Sequence, residues 1–530
     1  MNTKTITKPY AAPTRESEQG YSFAPVLKAQ ATTLVGTGIF LASLLLFVTA
    51  LSVAVLSKES IRLDEAQSLW QTGRSVPGLL AAVAEDVHVP LYHLLLHAWR
   101  LFAGESIEAA RFLSLLFFLG SIPLIYHLGR ETYGRSVGMF AAFLLALSPF
   151  MNWYGSEARM YSLLAFLALL NQLFFVRTFQ KPDRAAWIGY ALSAAAGMLT
   201  HYFFAFALVA QAIFFFLKKD AFAPGSLRKF ILSAAVIALA VLPWLAYVFT
   251  LGAASNTRPL LYPPSSVDFF NVYSEMLFGF QTDHLNTVIV SLWPLTVLLG
   301  FFALRRNRRL SAETLYFIIA MTVPIVAAFG LSFVVRPFFL ARYLILSLPA
   351  LYLFLGWLFA TYPPRLGFAL KTALIAAMFL GLAVQTLSAQ TPVKEEYQAA
   401  VAYLNRAVRP QDIVILSAPF TIYPIEYYYT GTAAIGTLPI WNRFEHGPIP
   451  PFIEANLGAE VEQLKGKHRK AYLLLSYDQG YEETVRQYFA SRFEQLEHRR
   501  YSRGLSLYVY KLRYDETEIA AAVNALFPAP

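Results

Sequence analysis

Several short stretches of this chain gather acids, arginines and histidines beside aromatic residues. In Ile61-Arg62-Leu63-Asp64-Glu65-Ala66 two carboxylates are adjacent. A carboxylate with apolar neighbours can have its pKa raised and serve as a general base; the same pair can equally be a solvated acidic helix end. His88-Val89-Pro90-Leu91-Tyr92-His93 follows, with Pro90 fitting the first turn of a helix. His93 and His97 lie four apart, a spacing that permits a metal site. No acid stands at Leu94, however, and the flanks are amphipathic, so a helix lying on an interface fits better. In Ser148-Pro149 through Glu157-Ala158-Arg159-Met160-Tyr161, Pro149 should end one helix, and Glu157 and Arg159 should open the next. An arginine at a helix start opposes the macrodipole unless it meets an anion. Its fork suits a phosphate, and interfacial snorkelling is the alternative. His201-Tyr202, Arg336 and Arg342-Tyr343 complete the set. A further stretch, 252–285, carries Tyr262, Asp268, Glu275 and Asp283, as a lid or acceptor groove would.

What positions these residues is a membrane-embedded helical scaffold. The chain has 530 residues, 57% hydrophobic and only 14% charged, against roughly 25% charged in soluble domains. A span needs roughly 20 apolar residues, and eleven candidate runs lie near 31–56, 109–128, 137–151, 159–176, 185–200, 203–217, 230–250, 286–304, 314–334, 339–360 and 367–388. The net charge of +10 does not point to nucleic acid, because the basic residues cluster between apolar runs. They concentrate in 1–30, 129–136, 177–184, 218–229, 305–313 and 361–371, which makes those segments cytoplasmic. Residues 1–30 are then a cytoplasmic tail and not a cleavable signal, and 31–389 form the transmembrane domain. The first outer loop is 57–108, and every chemistry-bearing stretch falls on the outer side. The absence of cysteine removes disulfides and thiolate metal sites.

Beyond residue 389 the apolar runs shorten to strand length, at Ile413–Ser417, Ala471–Tyr477 and Leu505–Leu512. Amphipathic helical stretches near 395–408, 450–466 and 481–493 separate them. This alternation predicts a small extracytoplasmic α/β domain over 390–530, packed on the outer loops.

The combination of Asp64-Glu65, His88-x-Pro90-Leu91-Tyr92, Ser148-Pro149 with Glu157-Ala158-Arg159-Met160-Tyr161, His201-Tyr202 and Arg342-Tyr343 resembles the GT-C superfamily. It is closest to its family 39-like enzymes, the dolichyl-phosphate-mannose protein mannosyltransferases and lipid A aminoarabinose transferases. The resemblance covers about 35–360. It departs where the family often shows His-Pro-Pro and this chain has His88-Val89-Pro90. The resemblance implies an inverting transferase that uses a polyprenyl-phosphate sugar, without a metal or other cofactor. It implies Asp64 as catalytic base, with Glu65 orienting or assisting it, and Arg159, Arg342 and Arg336 on the donor phosphate. His88, Tyr92, Glu157, Tyr161, His201, Tyr202 and Tyr343 would line the substrate site. The acceptor would be a protein, lipid or polysaccharide, and the setting a bacterial inner or plasma membrane with the active site facing outward.

Two other classes fit the spans. A flippase of lipid-linked sugars would concentrate polar groups near the midplane, whereas the span interiors here are nearly free of charge. A non-catalytic scaffold would leave Asp64, Arg159 and Arg342 apart in space.

Overall fold

The computed structural model describes residues 24–56, 59–86, 88–251, 262–281, 283–291, 293–306, 310–335, 337–387, 395–445 and 449–513. The membrane part begins with α1 (Ala24–Leu56). Three helices of the first connection follow: α2 (Leu63–Thr72), α3 (Val76–Glu85) and α4 (Pro90–Ala103). Then come α5 (Ile107–Tyr133), α6 (Arg135–Leu147), α7 (Pro149–Gly155), α8 (Tyr161–Gln180), α9 (Arg184–Met198), α10 (Phe204–Leu217) and α11 (Ser226–Thr250). The remaining helices are α12 (Ser266–Phe278), α13 (Asp283–Ser291), α14 (Trp293–Arg306), α15 (Ala312–Val334), α16 (Leu348–Ala360), entered through a 3-10 turn at Ala341–Ser347, and α17 (Pro364–Leu387).

Each of the eleven expected runs falls on helix, but helix and span are different things. Among the described residues, eight stretches are long and apolar enough to cross a membrane, or nine if α6 and α7 are one span bent by 59°. The bend has a local cause: Pro149 stands in the first turn of α7, and the Ser148 hydroxyl accepts from the Met151 amide at 3.1 Å. α9 and α10, of 15 and 14 residues, are each short of a full crossing and are separated by the turn around His201. α7 was not foreseen. The segment after Pro149 turns helically before α8 begins at Tyr161, so Glu157 and Arg159 sit in the link between two helices and do not open one.

The C-terminal domain contains α18 (Tyr397–Ala407), β1 (Ile413–Ser417), α19 (Ile422–Tyr428), β2 (Ala434–Leu438), α20 (Glu454–Lys465), β3 (Lys470–Ser476), α21 (Glu482–Arg492), β4 (Glu494–Ser502) and β5 (Leu505–Lys511). The sheet order is β2-β1-β3-β5-β4. β1 lies parallel to β2 and β3, and β5 antiparallel to β3 and β4. Strand periodicity sorts its side chains. Ile413, Ile415, Leu473 and Leu475 pack against Leu457, Val461, Val485 and Phe489 of α20 and α21. Val414, Leu416, Tyr472 and Leu474 face the opposite way and join the core that is continuous with the membrane helices.

That second face docks the domain on the first connection. The Tyr428 hydroxyl accepts from the Ile61 amide (2.9 Å), the Tyr427 hydroxyl from the Ile107 amide (3.1 Å), and Ser60 Oγ from the Gln398 amide (3.1 Å). The Trp70 and Tyr423 rings meet at 5.0 Å.

Candidate active site

Asp64 and Glu65 share the first turn of α2, yet successive helical residues point about 100° apart. Glu65 turns inward and is fully buried. Its Oε1 accepts from Arg111 Nε (2.8 Å) and the Ala158 amide (2.9 Å), and its Oε2 from Arg111 Nη2 (2.7 Å) and the Arg62 amide (3.0 Å). Arg111 spends its remaining donors on the carbonyls of Leu56, Glu59 and Ser60, at 2.7, 3.0 and 3.0 Å. All five guanidinium N–H groups are therefore satisfied. This pair ties the end of α1, the start of α2, α5 and the α7–α8 link into one unit.

Asp64 faces the other way, toward Arg342, whose Nη1 stands 3.4 Å from Oδ2. Arg159 reaches the same helix turn, with Nη1 donating to the Asp64 carbonyl (3.2 Å) and to Ser68 Oγ (3.0 Å). Burial alone would raise the Asp64 carboxyl, but the guanidinium groups of Arg159, Arg342 and Arg62 outweigh it and hold the group down at about 2. This corrects the expectation of a raised pKa: the apolar neighbours in sequence are not the neighbours in space.

The arginines differ in what they have left to give. Arg159 also directs Nη2 to His88 Nε2 at 3.0 Å. Burial, with Arg159 adding to it, lowers His88 to about 3. His88 is thus neutral, with its Nε2 lone pair toward Arg159, so the 3.4 Å approach of Asp86 Oδ2 is no ion pair. Arg342 touches Asp64 and lies 5.3 Å over the Tyr343 ring, and its Nε has no hydrogen-bond partner among the described residues. Arg336 lies outside the described residues.

The other anticipated residues fall into two groups. Tyr161, Tyr343 and His201 form an aromatic wall beside Arg342, with ring centroids 6.5 Å (Tyr161–Tyr343) and 5.1 Å (His201–Tyr343) apart. His201 Nδ1 accepts from the Phe203 amide, and burial lowers its pKa to about 3. Glu157 is buried and pairs with Arg62 at 3.2 Å; burial raises its pKa, against the pull of Arg62. Tyr92 and Tyr202 stand back from this wall. Tyr92 is fully buried with its hydroxyl on Ser114 (3.1 Å), and Tyr202 takes the indole N–H of Trp244 (3.1 Å) and packs among apolar side chains. His93 stacks on His88 at 5.9 Å, and His97 is bonded to the Thr72 carbonyl, so the pair does not assemble. Among the described residues, no group of three or more His, Cys, Asp or Glu could hold a metal.

Three participants were missed. Asp86 Oδ2 accepts from Gln67 (2.8 Å) and Gln71 (3.0 Å), and burial pushes its pKa up to about 6. The signal was there: two glutamines four apart on α2 share a face. Arg62 lies 5.0 Å over the Trp153 ring and shares with Arg342 the wall of a cavity of about 380 Å³. Its signal was a cation at a helix start, the argument applied only to Arg159. The role of Arg111 had no local signal, since its partner lies 46 residues away.

Comparison with known proteins bears on this arrangement. A family model described as dolichyl-phosphate-mannose-protein mannosyltransferase matches residues 87–247. Crystal structures of ArnT from Cupriavidus metallidurans share the fold. The apo form has TM-score 0.59 at 13% identity, and the form bound to undecaprenyl phosphate 0.58 at 15%. Both cover 91% of this chain and 98% of that one. An Archaeoglobus fulgidus oligosaccharyltransferase in complex with zinc and sulfate aligns at TM-score 0.47 and 15% identity, over 82% of this chain and 67% of that one. None of the curated proteins matches. The fold is ArnT-like. Residues 87–247 thus resemble a mannosyltransferase family model, and the chain is similar to ArnT over nearly its whole length.

Proposed function

We propose that this protein is an inverting glycosyltransferase that moves a sugar from a polyprenyl-phosphate carrier to a hydroxyl acceptor, at the outward face of a bacterial inner or plasma membrane. The observation that carries this reading is the Asp64–Arg342 pair, a carboxylate at the mouth of the site held by a guanidinium with donors to spare. Asp64 takes the proton of the acceptor hydroxyl. The freed oxygen forms a bond to the anomeric carbon, and the carbon–oxygen bond to phosphate breaks with its electron pair leaving on the polyprenyl phosphate. Arg342 meets that growing charge, with Arg159 behind it, an effect worth several kcal/mol in a water-poor site. No general acid is required, because the phosphate leaves as an anion.

The low pKa of Asp64 fits this scheme when the donor is counted. The cations that depress it are the ones a donor phosphate would engage. An anion there offsets their potential and raises the proton affinity of Asp64 when substrate is in place. The guanidinium groups supply the positive charge, so the proposed reaction needs no metal. Glu65 and Arg111 act as a brace that holds the Asp64 turn.

The test is transfer in proteoliposomes from a labelled panel of polyprenyl-phosphate sugars to membrane acceptors, with and without EDTA. Wild type should form a new glycosidic bond of inverted configuration, EDTA should leave it unchanged, and Asp64→Asn should not form it. Movement of lipid across the bilayer without a new bond would establish the flippase reading instead. Loss of transfer in EDTA that a divalent cation restores would overturn the metal-free mechanism.

A further inference from the structure

The mechanism above uses one edge of Arg342. Its other side faces the cavity of about 380 Å³ that it shares with Arg62. The same cavity is walled by the rings of Trp153 and Phe280, which meet edge to face at 5.0 Å, and by Asn271 and Glu275 of α12, with Arg62 over one face of Trp153. The two polar residues of α12 are four apart, so they present to the cavity together. Asn271 Oδ1 already accepts from Asn286 (3.1 Å), which fixes the amide and turns its N–H₂ to other use. Glu275 is half-buried, and burial, with Asp268 adding to it, pushes its carboxyl up to about 7. Such a carboxyl exchanges between accepting and donating hydrogen bonds near neutral pH. The Nε groups of Arg62 and Arg342, which line the same cavity, have no hydrogen-bond partner among the described residues.

An aromatic wall, a guanidinium pair and a carboxyl–amide pair around a small cavity match the chemistry of a sugar ring. Such a ring offers apolar C–H faces and a belt of hydroxyls that each donate and accept. The volume lies at the small end of ligand pockets, roughly 300–1,000 Å³. We propose that this cavity is the donor-sugar subsite, in which Glu275 and Asn271 read the sugar hydroxyls while Arg342 stands between sugar and phosphate. Arg62 and Arg342 are each already paired with a carboxylate, Glu157 at 3.2 Å and Asp64 at 3.4 Å, and Glu275 and Asp268 add two further acids to the lining, so the subsite takes a monosaccharide without an anionic group. This proposal rests on the glycosyl-transfer reading and names the part of the donor that the cavity recognises.

The test separates the two. Binding of bare polyprenyl phosphate is compared with binding of polyprenyl-phosphate mannose, glucose, arabinose and glucuronate, in wild type, Glu275→Gln and Asn271→Ala. Thermal stability is recorded for each variant. In wild type at least one neutral sugar should bind about tenfold more tightly than the bare carrier, and glucuronate should not. Both variants should lose that advantage while keeping wild-type affinity for bare polyprenyl phosphate and wild-type stability. If the variants keep the sugar advantage, or if glucuronate is the preferred sugar, the subsite proposal is overturned while the transferase reading stands. If bare-carrier binding falls in parallel, the cavity holds the phosphate or lipid, which also overturns it. If wild type binds no polyprenyl phosphate in any form, the transferase reading itself fails.

Discussion

Two ion pairs, one residue apart in sequence, divide the work of this site. Glu65–Arg111 is dry: the side chains are 1% and 0% exposed and every donor and acceptor is filled. Asp64–Arg342 is half-open: the side chains are 30% and 26% exposed, the contact is 3.4 Å, and a donor remains open. A buried, saturated pair cannot accept a substrate proton without first being broken, and truncating one partner leaves a buried charge unpaired. A half-open pair is poor at holding a fold but free to exchange its partner for a ligand. On the proposed reading Asp64 reacts, and Glu65 orients it by holding the turn that carries it.

Substitutions at the two pairs should give opposite readouts. Asp64→Asn should lower the transfer rate by roughly 10²–10⁴-fold, the range of general-base catalysis, with a smaller loss of melting temperature than Glu65→Gln. Equal loss of stability would erase the distinction. Glu65→Gln should behave in reverse, costing about 3–5 kcal/mol of stability through the unpaired Arg111, with thermal melting in detergent as the readout. Arg342→Ala should lower kcat/KM for the donor roughly 10- to 100-fold, since a charged hydrogen bond is worth about 1.5–3 kcal/mol.

Proton linkage sharpens the contrast further. If donor binding raises the proton affinity of Asp64, kcat should fall on acidification at a pH where kcat/KM is still flat, because kcat reports the complex and kcat/KM the free enzyme. Coincident acidic limbs would show that the donor does not act on Asp64. The smallest expected effect concerns Asp86, whose folded pKa of about 6 exceeds its ordinary value of 3.8. A raised acid pKa means the folded state holds the proton more tightly. The stabilising contribution is complete below about 3.8 and is lost as pH rises through about 6. Asp86→Asn should flatten that part of the melting-temperature profile.

How much of this could be read from the chain follows the same division. Asp64, Arg159, Arg342 and His201 were visible because charged and aromatic residues stand out at the ends of apolar runs. The inward partners were not, because pairing over long sequence distance is a property of packing. Arg111 reads as one more basic residue at a span end until Glu65 and three backbone carbonyls close around it. Glu157 and Arg159 were seen, but in the wrong setting, since the short helix α7 breaks no composition rule. In the C-terminal domain, β1, β3 and β5 were legible as apolar runs. β4 was not, because it is an edge strand of largely exposed, charged residues, Glu494–Ser502, and edge strands carry such residues to block further pairing. Span number was the least legible, since apolar content marks helix but does not set where a turn such as that at His201 cuts it.

The central claim is that Asp64 acts only to remove the acceptor proton. It is tested most directly by supplying a nucleophile that has no proton to lose. Asp64→Ala should fail to glycosylate the hydroxyl acceptor, yet with azide it should form the glycosyl azide of inverted configuration from a donor that wild type uses. Hydroxyl transfer by Asp64→Ala at near the wild-type rate, or no azide product from a variant that still binds donor, would contradict it.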